Sequence, residues 1–186
     1  MLIPLRLSSQ SDEQLMTRAS RGSDRAFEEL YNRYARRLQG FFVRRLGDDA
    51  DLAADFMHDT FLRLYAARET YHEGRNFRAW LYTIAYNLCR NHHRNQLTLL
   101  SDEGVDITDE ASIEVELDMK ELYDALREVL RKLPEPYAML FSLHYEEELT
   151  VPQIAQITEL PEGTVKSRLH KTMNIIKQNL KLYENR

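Results

Sequence analysis

Between Thr164 and Tyr183 the chain carries five Lys or Arg and no acid, and Lys166, Ser167, Arg168, His170 and Lys171 crowd its beginning. Cations gathered at a helix start suit the phosphates and base edges of nucleic acid. A second group, Thr83, Tyr86, Arg90 and Arg94 with Asn87 on its flank, falls on one face when about 100° is allowed per residue. An aromatic ring and two guanidinium groups there suit stacking and phosphate contact. A solvated polar face accounts for the same residues. Catalysis finds less support. His92-His93, Cys89 and His58-Asp59 are candidate metal ligands, yet adjacent histidines leave a helix on different sides. No HExxH, paired CxxC, glycine-rich phosphate loop or nucleophile elbow is present. The expectation is no metal, no cofactor and no catalytic residue.

The elements that must position these groups follow from local signals. Thr150 and Gln153 form a capping-box pair that opens a short helix to about Thr158, burying Ile154 and Ala155. A turn holding Leu160, Pro161 and Gly163 leads into a longer helix. There Val165, Leu169, Met173, Ile176 and Leu180 recur at helical spacing as one buried stripe, leaving the basic cluster outside it. This is the layout of a helix-turn-helix, whose second helix enters the DNA major groove. An amphipathic hairpin with a charged outer face gives the same periodicity.

Charge is distributed unevenly over the 186 residues, whose net formal charge is -5. Residues 1–95 hold 15 basic and 12 acidic groups, residues 96–121 one Lys and nine acids, and residues 122–186 nine of each. The acidity therefore sits in one middle stretch. No apolar run approaches the roughly 20 residues of a membrane span, and the start is too short and mixed for a secretory signal. A single Cys89 excludes an internal disulfide, so a cytoplasmic setting is expected.

In chain order, Ser11 and Gln14 open a short helix to about Ser20, and Ser23 caps a helix from about Asp24 to Leu46. Phe27, Leu30, Tyr31, Tyr34, Leu38 and Phe41 form its stripe, with Arg33, Arg36, Arg37, Arg44 and Arg45 mostly elsewhere. A third helix, about Asp51 to Ala67, buries Phe56, Phe61 and Leu64. After a loop at 71–75, with Asn76 as cap, a fourth helix runs to about Arg94 with Phe77, Trp80, Leu81, Ile84 and Leu88 inward. Residues 96–116 lose periodicity and read as a flexible acidic linker. Next comes a helix with Met119, Leu122, Leu126, Val129, Leu130 and Leu133 in register. Pro134 and Pro136 separate it from one carrying Tyr137, Leu140, Phe141 and Tyr145. The fold class is all-α: two small helical domains, 1–95 and 117–186, the second holding the helix-turn-helix.

Three segments together resemble the extracytoplasmic-function (ECF) sigma factors, promoter-specificity subunits of bacterial RNA polymerase. They are Asp55-Phe-Met-His-Asp59-Thr-Phe61-Leu-Arg-Leu, Asn76-Phe-Arg-Ala-Trp80-Leu-Tyr-Thr-Ile-Ala-Tyr-Asn87, and Leu133-Pro-Glu-Pro with Glu162-Gly-Thr-Val-Lys-Ser-Arg168. The resemblance covers about residues 12–182. It implies that Asp55, His58, Asp59 and Leu62 dock on the clamp helices of the largest polymerase subunit. His58 departs from the family's usual Gln, and a neutral imidazole still makes one hydrogen bond. It implies that Tyr71, Arg75, Tyr86, Asn87, Arg90 and Arg94 open and read the −10 element. Thr164, Lys166, Ser167, Arg168, His170 and Lys171 correspond to the −35 readers. Pro161 stands where the family often has a capping Ser. The family further implies that the linker threads toward the polymerase active-site cleft, and that an anti-sigma factor is a partner. The rival from another class is a stand-alone helix-turn-helix regulator, which leaves the first 95 residues without a task.

Overall fold

The computed structural model describes residues 7–99 and 119–184. Within them lie eight α-helices: α1 (Asp12–Ser20), α2 (Asp24–Arg45), α3 (Ala50–Ala66), α4 (Phe77–Leu99), α5 (Met119–Lys132), α6 (Glu135–Phe141), α7 (Val151–Thr158) and α8 (Glu162–Glu184). The chain divides into two compact units after Leu99. The expected all-α, two-unit architecture is therefore the observed one. One boundary differs: α4 continues through the first four residues assigned to the linker, because no glycine or proline stops it before Gly104. The rest of the expected linker, from residue 100, lies outside the described residues.

Helix starts follow their caps. Ser11 Oγ accepts from the Gln14 amide while Gln14 Oε1 accepts from the Ser11 amide. Asp49 Oδ1 accepts from the Asp51 and Leu52 amides, and Asn76 Oδ1 from the Ala79 amide at 2.8 Å. The segment ahead of α1 is fastened to α2 by one guanidinium. Arg33 donates to the carbonyls of Leu7, Ser8 and Gln10 and to the carboxylates of Asp12 and Glu29. Tyr34 donates to the second Asp12 oxygen; burial first, then this bond, pushes its phenol pKa well up.

Aromatic packing fills the first unit's core. Phe41 meets Phe42 and Tyr82 edge-on at 5.5 and 5.6 Å, and Tyr34 meets Phe77 at 5.4 Å. Several stripe expectations shift by one position. Ala26 and Leu30 face the core, so Phe27 and Tyr31, a further 100° round α2, are only half-buried. Phe56 is half-buried as well, whereas Arg45 is buried. In α4, Tyr82, Ala85 and Cys89 are fully buried and Ile84 is not.

In the second unit α8 packs on α5, α6 and α7. Its buried line is Val165, Leu169, Thr172 and Ile176; Met173 and Leu180 are half-buried. Thr172 satisfies its hydroxyl by donating to the Arg168 carbonyl at 2.9 Å, which permits a polar residue in the line. Ala125, Val129 and Leu133 are the buried residues of α5. After α6 the chain makes one wide turn, Ser142–Glu146, in which the Glu147 amide reaches back to the Ser142 carbonyl. The extra residue of that turn changes the helical phase. Leu143 enters the core and Tyr145, expected inside, is exposed.

Candidate polymerase and nucleic-acid interfaces

α8 begins at Glu162, within the turn expected to hold Gly163, although Pro161 has no capping side chain. The Pro161 carbonyl accepts from the Thr164 and Val165 amides at 2.9 and 3.1 Å, so the backbone supplies the first turn. Gly163 belongs to the helix rather than to the turn. Upstream, Gln153 Oε1 accepts from the Thr150 amide and hydroxyl at 2.8 and 2.9 Å, which starts α7. Glu159 ends α7 at φ 59°, in the left-handed region where glycine is more usual. With Val165 and Leu169 anchored inward, Lys166, Ser167, His170 and Lys171 are exposed, and Thr164 and Arg168 are half-buried. Lys166 lies 3.7 Å from Glu162, and Lys171 sits 5.4 Å from the Tyr137 ring centre on α6. The cluster is thus presented as one outward cationic face, two of whose ammonium groups are steered by neighbours.

On α4, Arg90 and Arg94 are exposed and Tyr86 and Asn87 half-buried, with the Arg90 guanidinium 5.8 Å from the Tyr86 ring. Tyr71 departs from the expected contact set. It is buried and stacked on Trp80 at 5.5 Å, so its ring is not offered to a nucleic acid. The reason is packing against α4: a lone aromatic in a loop has no periodicity from which burial can be read. Burial, and then the Glu13 carboxylate, push its pKa up to about 12. Arg75 lies 4.7 Å over the same indole, and burial holds its guanidinium below its ordinary pKa.

On α3, Asp55, His58, Asp59 and Leu62 lie on one side of the helix at i, i+3, i+4 and i+7. Asp55 and His58 are exposed, and Leu62 is 69% exposed. Asp59 is held by Arg63 through three contacts of 3.0 to 3.1 Å. The sequence reading missed the aromatic surface beside them. Tyr31 stacks on His58 at 6.4 Å and meets Phe61 at 4.7 Å. Phe27 meets Tyr65 at 5.0 Å, and Arg68 covers the Tyr65 ring at 4.0 Å. The half-burial of Phe27 and Tyr31 was hidden by their apparent place in the α2 stripe. Among the described residues no cluster of His, Cys, Asp or Glu could hold a metal ion, and no helix is long and apolar enough to cross a membrane.

Two helical units, one carrying an acidic and aromatic outer face and the other a helix-turn-helix with a cationic second helix, define a sigma-70-type initiation factor. The family models for sigma-70 region 2 and sigma-70 region 4 match residues 30–97 and 123–174. The chain belongs to the ECF family of RNA polymerase sigma factors, which direct promoter-specific transcription initiation. It is 30% identical to the RNA polymerase sigma-H factor of Pseudomonas aeruginosa, over 94% of this chain and 96% of that protein. To the ECF sigma factor SigW of Bacillus subtilis it is 27% identical, over 87% and 92%. In fold it is similar to the sigma factor RpoE in a co-crystal structure with the anti-sigma factor NepR from Bartonella quintana. That match has a TM-score of 0.65, 22% identity, and coverage of 83% and 96%.

Proposed function

We propose that the two units divide promoter recognition between them. The unit ending at Leu99 docks on the clamp helices of core polymerase through Asp55, His58, Asp59 and Leu62, with Phe27, Tyr31 and Tyr65 widening the contact. Arg75, Tyr86, Asn87, Arg90 and Arg94 take the melted −10 strand, the guanidinium groups meeting phosphate and Tyr86 offering a ring for stacking. Thr164, Lys166, Ser167, Arg168, His170 and Lys171 enter the −35 major groove. The protein performs no chemistry itself; the polymerase does. Cytoplasmic residence follows from that task, and an anti-sigma factor fits as the partner that withholds the chain from polymerase.

The observation that carries this reading is the presence, on one chain, of an exposed acid-and-apolar face on α3 and an exposed cationic face on α8. A protein of net charge -5 binds duplex poorly alone, since affinity for DNA rises with the phosphates neutralised. Core polymerase supplies the missing affinity. The test is size-exclusion chromatography of the protein with bacterial core RNA polymerase, followed by transcription on a genomic-fragment library. Co-elution with new start sites that share two upstream elements is the expected result. Tight duplex binding by the protein alone, without co-elution, would overturn it.

A further inference from the structure

Lys171 is a cation of α8 whose position is set from another helix. Its ammonium lies 5.4 Å from the centre of the Tyr137 ring, which comes from the first turn of α6. Lys166, by contrast, pairs along its own helix with Glu162 at 3.7 Å. From Thr164 to Tyr183 there is no acid, so no carboxylate within a turn of Lys171 on α8 competes for its charge. On α6 the one acid, Glu135, stands two positions before Tyr137 and leaves the helix on the far side. Ala138, Met139 and Leu140 are buried and fix α6 against the core, while Tyr137 is half-buried and Lys171 exposed. The Tyr137 amide donates to the Pro134 carbonyl at 2.9 Å, which settles the backbone at this point. Among the described residues the Tyr137 hydroxyl makes no hydrogen bond. A phenol O–H without a protein acceptor, on a ring that carries an ammonium, offers two donors to one anion. A phosphodiester suits them, since it presents two charged oxygens and takes bonds from Lys and Tyr side chains alike.

We propose that Tyr137 and Lys171 form a seat for one phosphodiester of the duplex at the joint of α6 and α8. Without DNA the ring holds the ammonium by cation–π attraction. With DNA the flexible lysine stem lets the ammonium meet one phosphate oxygen while the phenol O–H donates to the other. A contact shared by two helices fixes how α8 lies in the groove and reads no base. The proposal rests on the reading of α8 as the −35 helix.

The experiment uses holoenzyme reconstituted with core polymerase and a duplex spanning the farther upstream element of a promoter found by the library transcription. Each phosphate in turn is replaced by an uncharged methylphosphonate. With the native chain, neutralising the seated phosphate should cost at least about tenfold in affinity, the order of a lost hydrogen bond to a charged group. Tyr137→Phe keeps the ring beside Lys171 and removes only the hydroxyl. The cost at that phosphate should fall to about threefold, with holoenzyme assembly and the cost at every other phosphate unchanged. Lys171→Ala should lower the cost at the same phosphate. If Tyr137→Phe keeps the full native cost there, the seat is refuted while the −35 reading stands. Tyr137→Phe and Lys171→Ala acting at different phosphates would refute it as well. A native chain indifferent to neutralisation at every position overturns the −35 reading itself. Losses of assembly and of affinity spread evenly over all positions in Tyr137→Phe would make the phenol merely structural and sink the proposal.

Discussion

Reversing one charge on α3 should separate the proposed docking from folding. Asp59 is 42% exposed and its Arg63 partner 56%, so their ion pair sits in solvent despite its bidentate geometry. A pair of this kind at i,i+4 stabilises a helix by about 0.3–0.5 kcal/mol. Asp59→Arg removes it and creates a like-charge pair of similar cost. The total stays under about 1 kcal/mol, a fall in melting temperature of less than about 8 °C for a unit of this size. Binding responds on another scale. Removing one partner of a charge pair that becomes desolvated in a complex costs about 2–5 kcal/mol, or from about 30-fold to several thousandfold in affinity. Displacement of labelled native protein from core polymerase reads the affinity, and a circular-dichroism melt reads the fold. Arg63→Ala supplies the counterpart, since it frees the same carboxylate and should leave docking unchanged or tighter. A folded Asp59→Arg protein that forms holoenzyme normally would refute the reasoning. So would an Arg63→Ala protein as impaired as Asp59→Arg.

Lys171→Ala should weaken −35 duplex binding by holoenzyme across sequences and lower the salt-dependence slope by about 1, as loss of one phosphate contact requires. Arg168→Ala should also weaken −35 use, and unchanged promoter selection in both variants would exclude α8 as the reader. Ile176→Ala should destabilise the second unit by about 2–5 kcal/mol in a denaturant titration, and half-buried Met173→Ala by about 1; equal costs would contradict the observed face of α8. Stability should also fall as pH rises from about 10 toward 12. Tyr71, with its folded pKa pushed up to about 12, contributes fully below the ordinary phenol value, and that contribution disappears as the unfolded chain ionises first. The raised Tyr34 pKa acts in the same direction. Tyr71→Phe should flatten this loss in denaturation midpoints at pH 8 and 11, and an unaltered slope would count against the cause given.

Signals confined to three or four residues were legible. The pairs Ser11–Gln14 and Thr150–Gln153 each marked a helix start, because the donor and acceptor of a capping box lie within one turn. Helical phase was less secure. A stripe drawn through Met173 looks more apolar than one drawn through Thr172, and only the bond from Thr172 to the Arg168 carbonyl makes the second acceptable. The wide turn after α6 is invisible to a fixed period, so Tyr145 was placed on the wrong side. Among the candidate site residues, the outward cluster on α8 was readable because anchors and cations interleave there. Tyr71 was misjudged because its burial depends on Trp80, nine residues on, and on a hydroxyl bond to the backbone. The aromatic neighbours of His58 were hidden for a related reason: Phe27 and Tyr31 come from α2, and the surface exists only where α2 meets α3.

The eight-residue α7 has a consequence for how the second unit breathes. Glu148 precedes it at φ 54° and Glu159 ends it at φ 59°, so a short helix is bracketed by two left-handed, non-glycine residues. Each such residue costs about 1–2 kcal/mol relative to its relaxed backbone, and local opening of α7 releases both at once. Ile154, Ile157 and Thr158 are what hold it shut. The amides of α7 should therefore exchange with solvent sooner than those of the buried line of α8, and under the proposed −35 reading seating on duplex should slow them.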